Sequence, residues 1–131
     1  MFQRIVVPVD FTPKSARAVR LARRLAGPGG QVTLVHVIER IEHVAPRELK
    51  AFYASLQRGA ESKLRALAPK SPEVSRLVIV GPRVETILEH VRKTRADLVI
   101  LGSHRVRRDR GWATISYAVA LLAPCPVLLV K

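Results

Sequence analysis

Ile5-Val6-Val7-Pro8-Val9-Asp10-Phe11-Thr12-Pro13 holds the junction that decides the fold. Ile5 to Val9 is continuously apolar and mostly β-branched, as a strand buried on both faces must be; a strand with one wet face would alternate. Thr12-Pro13 follows at once and supplies a helix N-cap with proline in the first helical turn. A doubly buried strand running straight into a helix is the first half of a parallel crossover.

Outward from this junction the same alternation repeats. The first helix carries Ala16, Val19, Ala22 and Ala26 on one side with Leu21 and Leu25 beside them, and Gly27-Pro28-Gly29-Gly30 reads as its stop. Val32 to Ile38 reads as the second strand. A longer helix is expected from Pro46 to Leu67, with Leu49, Phe52, Leu56, Ala60, Leu64 and Leu67 forming its apolar face. Pro69 and Pro72 close it before a third strand at Leu77–Val80. Val84, Ile87, Leu88 and Val91 mark the third helix, and Leu98–Leu101 the fourth strand. Ile115, Ala118, Val119 and Leu122 mark the fourth helix, and Val127–Val130 the fifth strand. Strands this apolar, each separated by a helix, predict an α/β domain over residues 1–131: a parallel sheet covered by helices on both faces.

Composition narrows the function. Cys125 is the single cysteine, which excludes an intramolecular disulfide and a cysteine-based metal site. The first residues show no signal-peptide pattern, and no uncharged apolar run is long enough to span a bilayer. A cytoplasmic protein with no membrane partner is the expectation. The net charge of +13 points to a polyanion or a phosphorylated ligand, or simply to arginines on solvated helix faces. Interleaved aromatics are missing, so nucleic acid is not the expected partner.

In an open parallel sheet, ligands bind beyond the carboxyl ends of the strands, where the strand order reverses. The loops to inspect are Asp10-Phe11-Thr12, Gly81-Pro82-Arg83 and Gly102-Ser103-His104-Arg105. No loop after a strand ends in Gly-Lys-Ser/Thr, and no Gly-x-Ser-x-Gly elbow is present. His36, His43, His90 and His104 lack metal-ligand spacing, and no carboxylate pair accompanies them. His36 reads as a core or pocket-lining histidine, and Cys125 between two prolines as a packing residue. No catalytic machinery emerges, and the chain is not expected to be an enzyme.

Four segments together resemble the universal stress protein family: Val7-Pro8-Val9-Asp10-Phe11, Leu34-Val35-His36-Val37, Ala96-Asp97-Leu98-Val99-Ile100-Leu101-Gly102-Ser103-His104, and Ala123-Pro124-Cys125-Pro126-Val127-Leu128-Leu129-Val130. None is diagnostic alone; their order and spacing are specific and span essentially the whole chain. The resemblance implies the Rossmann-like fold of the adenine nucleotide alpha hydrolases, strand order 3-2-1-4-5, and a homodimer paired through the last strand, Val127–Val130. It also implies a nucleotide pocket between Asp10 and Gly102. Residues matching Pro8, Asp10 and Val37 hold adenine and ribose in the ATP-binding branch, and a loop written Gly-x2-Gly-x9-Gly-Ser/Thr holds the phosphates.

Here that loop departs from the pattern. Gly102 is kept, Arg105 replaces the second glycine, and counting back from Ala123-Pro124 puts Ala113-Thr114 at the final pair, two residues short. Keeping the family spacing from Gly102 gives Ile115-Ser116, which fits no better. Thr114 alone keeps its role as a hydroxyl donor. Glycines let successive N–H groups close on phosphate oxygens at positive φ, which arginine and alanine resist.

Two readings follow. In one, the chain is a non-enzymatic stress-response or interaction module with a degraded triphosphate loop and weak or absent ATP binding. In the other, Arg105, Arg107 and Arg108 replace the glycine nest with guanidinium forks, and the pocket takes ATP, AMP or another small anion. Pro8, Asp10, Val37, Gly102, Ser103, His104, Arg105 and Thr114 are the candidate binding residues. The Arg17, Arg20 and Arg24 stripe on the first helix is the fallback anion site.

Overall fold

The computed structural model describes residues 1–69, 71–103 and 114–131. The elements run β1 (Phe2–Pro8), α1 (Pro13–Leu25), β2 (Ala26–Ile38), a 3-10 turn (Pro46–Leu49), α2 (Lys50–Leu67), β3 (Val74–Val80), α3 (Arg83–Thr94), β4 (Leu98–Gly102), α4 (Ile115–Leu122) and β5 (Val127–Val130). The sheet has the order β3-β2-β1-β4-β5, and every pairing is parallel. The fold class and strand order expected from the sequence are therefore those of the structure.

Pleating explains why the strands are apolar throughout. In β1, Ile5 and Val7 face one core with Ala18, Val19 and Ala22 of α1 and Leu64 of α2. Val6 faces the other, with Ile87, Leu88 and Val91 of α3 and Val119 of α4. In β4, Leu98 and Ile100 join the first core, Val99 and Leu101 the second. Alternate side chains point to opposite faces, so a central strand with helices on both sides has no polar position to spare. Cys125 packs against the second core, as its setting between prolines suggested.

The expectations need correcting at several places. Gly27-Pro28-Gly29-Gly30 does follow the end of α1, but it belongs to β2, which is 13 residues long. The β1–β2 register jumps from Phe2↔Ala26 to Arg4↔Gln31, so these glycines form an irregular bulge. Gly29 has φ +73°, and a Cβ on Gly30 would lie 2.8 Å from the Gly27 carbonyl, so the sharp fold-back there admits only glycine. β3 begins at Val74 rather than Leu77, and the helix expected from Pro46 starts as a 3-10 turn.

Helix faces also shift. On α1 the buried residues are Ser15, Ala18, Val19 and Ala22, not Ala16 or Ala26. On α2 only Ala60 and Leu64 are buried, while Phe52 and Leu56 are exposed. On α4, Ser116 and Val119 are buried and Leu122 is exposed.

One polar clamp ties the start of β1 to the turn before β4. The Asp97 carboxylate accepts the N–H groups of Gln3 (2.8 Å) and Arg4 (3.0 Å), and Arg4 Nε donates to the Arg95 carbonyl at 3.0 Å. Burial alone would raise the Asp97 carboxyl, but these N–H donors and the Arg4 charge outweigh it and hold the group below its ordinary value. On α3, burial and then the Lys93 charge hold the His90 imidazole below its ordinary value. In both cases the folded chain binds fewer protons than the unfolded one, so stability falls as the pH is lowered. The His90 contribution is complete above about pH 6.5 and is lost as pH falls through its lower folded value; Asp97 acts likewise below about pH 3.9. Melting temperatures measured from pH 8 to pH 3 should therefore decline in two stages. His90→Gln should flatten the upper stage and Asp97→Asn the lower; unchanged slopes would refute the assignment.

Candidate functional site

The strand order reverses between β1 and β4, and a cavity of about 130 Å³ opens there at the carboxyl ends of the strands. Its walls are mostly apolar, from Val35 and Val37 of β2, Ile87 of α3 and Leu101 of β4. Pro8 and Asp10 at the end of β1 and Gly102 at the end of β4 contribute the rest of the inner wall. An apolar slot with a few polar groups at one rim suits a flat ring carrying a polar substituent.

Asp10 is built into the β1–α1 turn. Its Oδ1 accepts the Thr12 N–H (3.1 Å), the Thr12 hydroxyl (2.6 Å) and the Ser15 hydroxyl (2.6 Å). Ser15 Oγ accepts the Asp10 N–H in return at 3.0 Å, and Thr12 Oγ1 caps α1 by accepting the Ser15 N–H. The carboxylate thus sits at the positive end of α1, which offsets its charge. The chain reaches this turn through Phe11 at φ +64°, a conformation in which a bulky residue is strained. The Phe11 ring rests 4.5 Å from the His36 ring, and the Lys63 ammonium lies 5.3 Å above it. His36 Nδ1 donates to the Val9 carbonyl at 2.7 Å, because a carbonyl can only accept. His36 also borders the cavity, in line with the sequence reading.

On the other side, Gly102 makes room rather than turning the chain. A Cβ there would come within 2.7 Å of the Lys14 Cβ and 3.4 Å of the Lys14 backbone carbon. The absent side chain lets the first turn of α1 lie directly on the end of β4. Lys14 then reaches over it and donates from Nζ to the Ser103 carbonyl at 2.6 Å, while the Ser103 N–H bonds to the Val130 carbonyl at 2.8 Å. Thr114 is the N-cap of α4, accepting the Tyr117 N–H at 3.1 Å, with its Oγ1 3.2 Å from Ser116 Oγ. A second, wider cleft of about 490 Å³ adjoins the first, and Arg83 and Ile115 line both. Arg83 Nε lies 3.6 Å from Glu39 Oε1.

Of the candidate residues, Pro8, Asp10, Val37 and Gly102 come together on the cavity wall. Ser103 and Thr114 flank it without lining it. His104 and Arg105, with Arg107, Arg108 and the rest of the arginine-rich stretch, lie outside the described residues. Sequence reading missed Ser15, Arg83, Ile87, Leu101, Ile115 and Ser116 as lining residues. Arg83 was within reach, since it follows β3 at the productive end of the sheet. The loop spacing from Gly102 does reach Ile115-Ser116, a pair that fits the glycine pattern no better than Ala113-Thr114, whereas Ser15 has no local signal and looks like an ordinary first-turn helix residue. Among the described residues no group of three or more His, Cys, Asp or Glu is placed to hold a metal, and no helix is long and apolar enough to cross a membrane.

A parallel sheet of this order, with a cavity at its reversal point, is a doubly wound, Rossmann-like α/β architecture. The sequence profile of the universal stress protein family matches residues 1–131, and the chain belongs to that family. In an alignment of 143 positions that covers all of both chains, it is 28% identical to a Thermus aquaticus protein named universal stress protein in QAH/OAS sulfhydrylase 3′ region. It superposes on a universal stress protein solved in complex with cAMP with a TM-score of 0.70 and 23% identity, over 99% of this chain and 97% of the other. For the Archaeoglobus fulgidus universal stress protein in complex with dAMP the TM-score is 0.63 and the identity 21%, over 98% of each chain.

Proposed function

We propose that this chain is a non-enzymatic regulatory module whose cavity takes a nucleoside monophosphate and holds ATP weakly or not at all. The observation that carries the reading is the cavity itself. It is formed by Pro8, Asp10, Val37 and Gly102, and at about 130 Å³ it is smaller than the roughly 300–1,000 Å³ typical of ligand pockets. That space suits one ring system and leaves the phosphate at the rim. Two solved relatives hold mononucleotides, cAMP and dAMP. Against triphosphate binding stands the sequence of the phosphate loop, where Arg105 and Ala113 stand in place of glycines and are residue types that resist the positive φ a backbone nest requires. The hydroxyl–carboxylate contact on the cavity wall, Ser15 to Asp10 at 2.6 Å, is committed to the β1–α1 turn, where Ser15 Oγ also accepts the Asp10 N–H, which supports binding rather than turnover.

In the same reading two copies pair through β5 in the cytoplasm. β5 is an edge strand, and Leu128 and Leu129 on it and Leu121 and Leu122 on α4 are exposed, so partnering there would cover exposed apolar side chains.

Isothermal titration should give an ATP dissociation constant poorer than about 100 μM, roughly −5.5 kcal/mol, with AMP tighter than ATP. Mass spectrometry of small molecules released from freshly purified, denatured protein should show a mononucleotide rather than a triphosphate. A low-micromolar ATP constant at physiological salt would overturn the proposal.

A further inference from the structure

Resting on the monophosphate reading, we infer that Lys14 is the group that binds the ligand's phosphate, and that it orients the ligand with its ring toward Ile87 and its phosphate toward the α1–β4 contact. The position of the lysine is built by two features. Gly102 lacks the side chain that would exclude the Lys14 stem, and the Ser103 carbonyl anchors the ammonium at 2.6 Å. Lys14 is partly buried and lies just outside the cavity wall, to which its neighbour Ser15 and the glycine it crosses both belong.

Charge is what makes this position a phosphate site rather than a structural brace. The partner of the ammonium is a neutral carbonyl, which uses one of its three donors. Among the described residues the ion pairs are His43–Glu42 and Arg83–Glu39, so no carboxylate lies within ion-pair distance of Lys14. The Asp10 carboxylate nearby has three donors on one oxygen and the α1 N-terminus behind it, which reduces its repulsion of an approaching anion.

At the opposite end the charged residue on the cavity wall is Arg83, a cation that shares the adjoining cleft with three glutamates. The adjoining cleft carries Glu39, Glu42 and Glu85 against Arg40 and Arg83, and Arg83 already faces Glu39. A phosphate entering there would meet a carboxylate excess. A ligand with an uncharged ring and one anionic group therefore has one favourable orientation, phosphate on Lys14.

Titrations of adenosine 5′-monophosphate and adenosine into the wild type, Lys14→Met and Lys14→Arg test this. Charge-assisted hydrogen bonds of this kind predict that Lys14→Met weakens AMP roughly 10- to 100-fold and leaves adenosine within about twofold. Lys14→Arg should recover most of the AMP affinity, and added salt should weaken AMP but not adenosine. If Lys14→Met weakens both ligands equally, the lysine acts only by bracing Ser103 and the inference fails. It also fails if AMP is unaffected, in which case the monophosphate reading survives with its phosphate held elsewhere. If the wild type binds neither compound, both readings fall together.

Discussion

Replacing Leu64 by alanine should destabilise the protein by about 2–5 kcal/mol, whereas Phe52→Ala and Leu56→Ala on the same helix should each cost less than about 1 kcal/mol. Leu64 is fully buried in the first core against the sheet, and with Ala60 it is all that α2 buries. Truncating its isobutyl group to a methyl leaves a cavity between α2 and the strands, which the rigid sheet cannot collapse to fill. Phe52 is 46% exposed and Leu56 is 40% exposed, so truncating them removes surface that water already reaches. Urea unfolding of the three variants, with midpoints compared at constant slope, measures the difference. Equal losses at all three positions would mean that the whole apolar stripe of α2 is buried in solution, by a partner or by a second copy.

A chain carrying Leu128→Asp should sediment as a monomer at concentrations where the wild type sediments as a dimer. The proposed pairing places β5 against its own copy, and Leu128 is 38% exposed on that edge in the single chain. A carboxylate forced into an apolar strand contact without a partner costs several kcal/mol, and each 1.4 kcal/mol is tenfold in affinity. The dissociation constant should therefore rise by roughly 100-fold or more. The fold should survive, because Leu128 is not part of either buried core. Analytical ultracentrifugation at tens of micromolar reads the outcome. A wild-type monomer, or a variant with an unchanged dimer, would remove β5 as the interface.

The sequence by itself determined the architecture, because its evidence is local and repeated. Ile5–Val9 and Leu98–Leu101 are apolar at every position, which is tolerated only in strands covered on both faces, and a helix cap or breaker follows each strand. The site was half legible for the same reason. Asp10 and Gly102 stand at the carboxyl ends of adjacent central strands, and any parallel sheet with that reversal brings such ends together. Tertiary structure alone decided the rest. The stripe from Leu49 to Leu67 has helical spacing throughout, yet only its later part, Ala60, Leu64 and in part Leu67, meets a surface that buries it. Spacing reports which residues share a face, not how far the opposing layer extends. Gly102 reads as a phosphate-loop glycine, and only the packing of α1 across β4 shows that its missing side chain is the space Lys14 occupies. That contact joins residues 88 positions apart in the chain, and no local pattern encodes a steric demand made from such a distance.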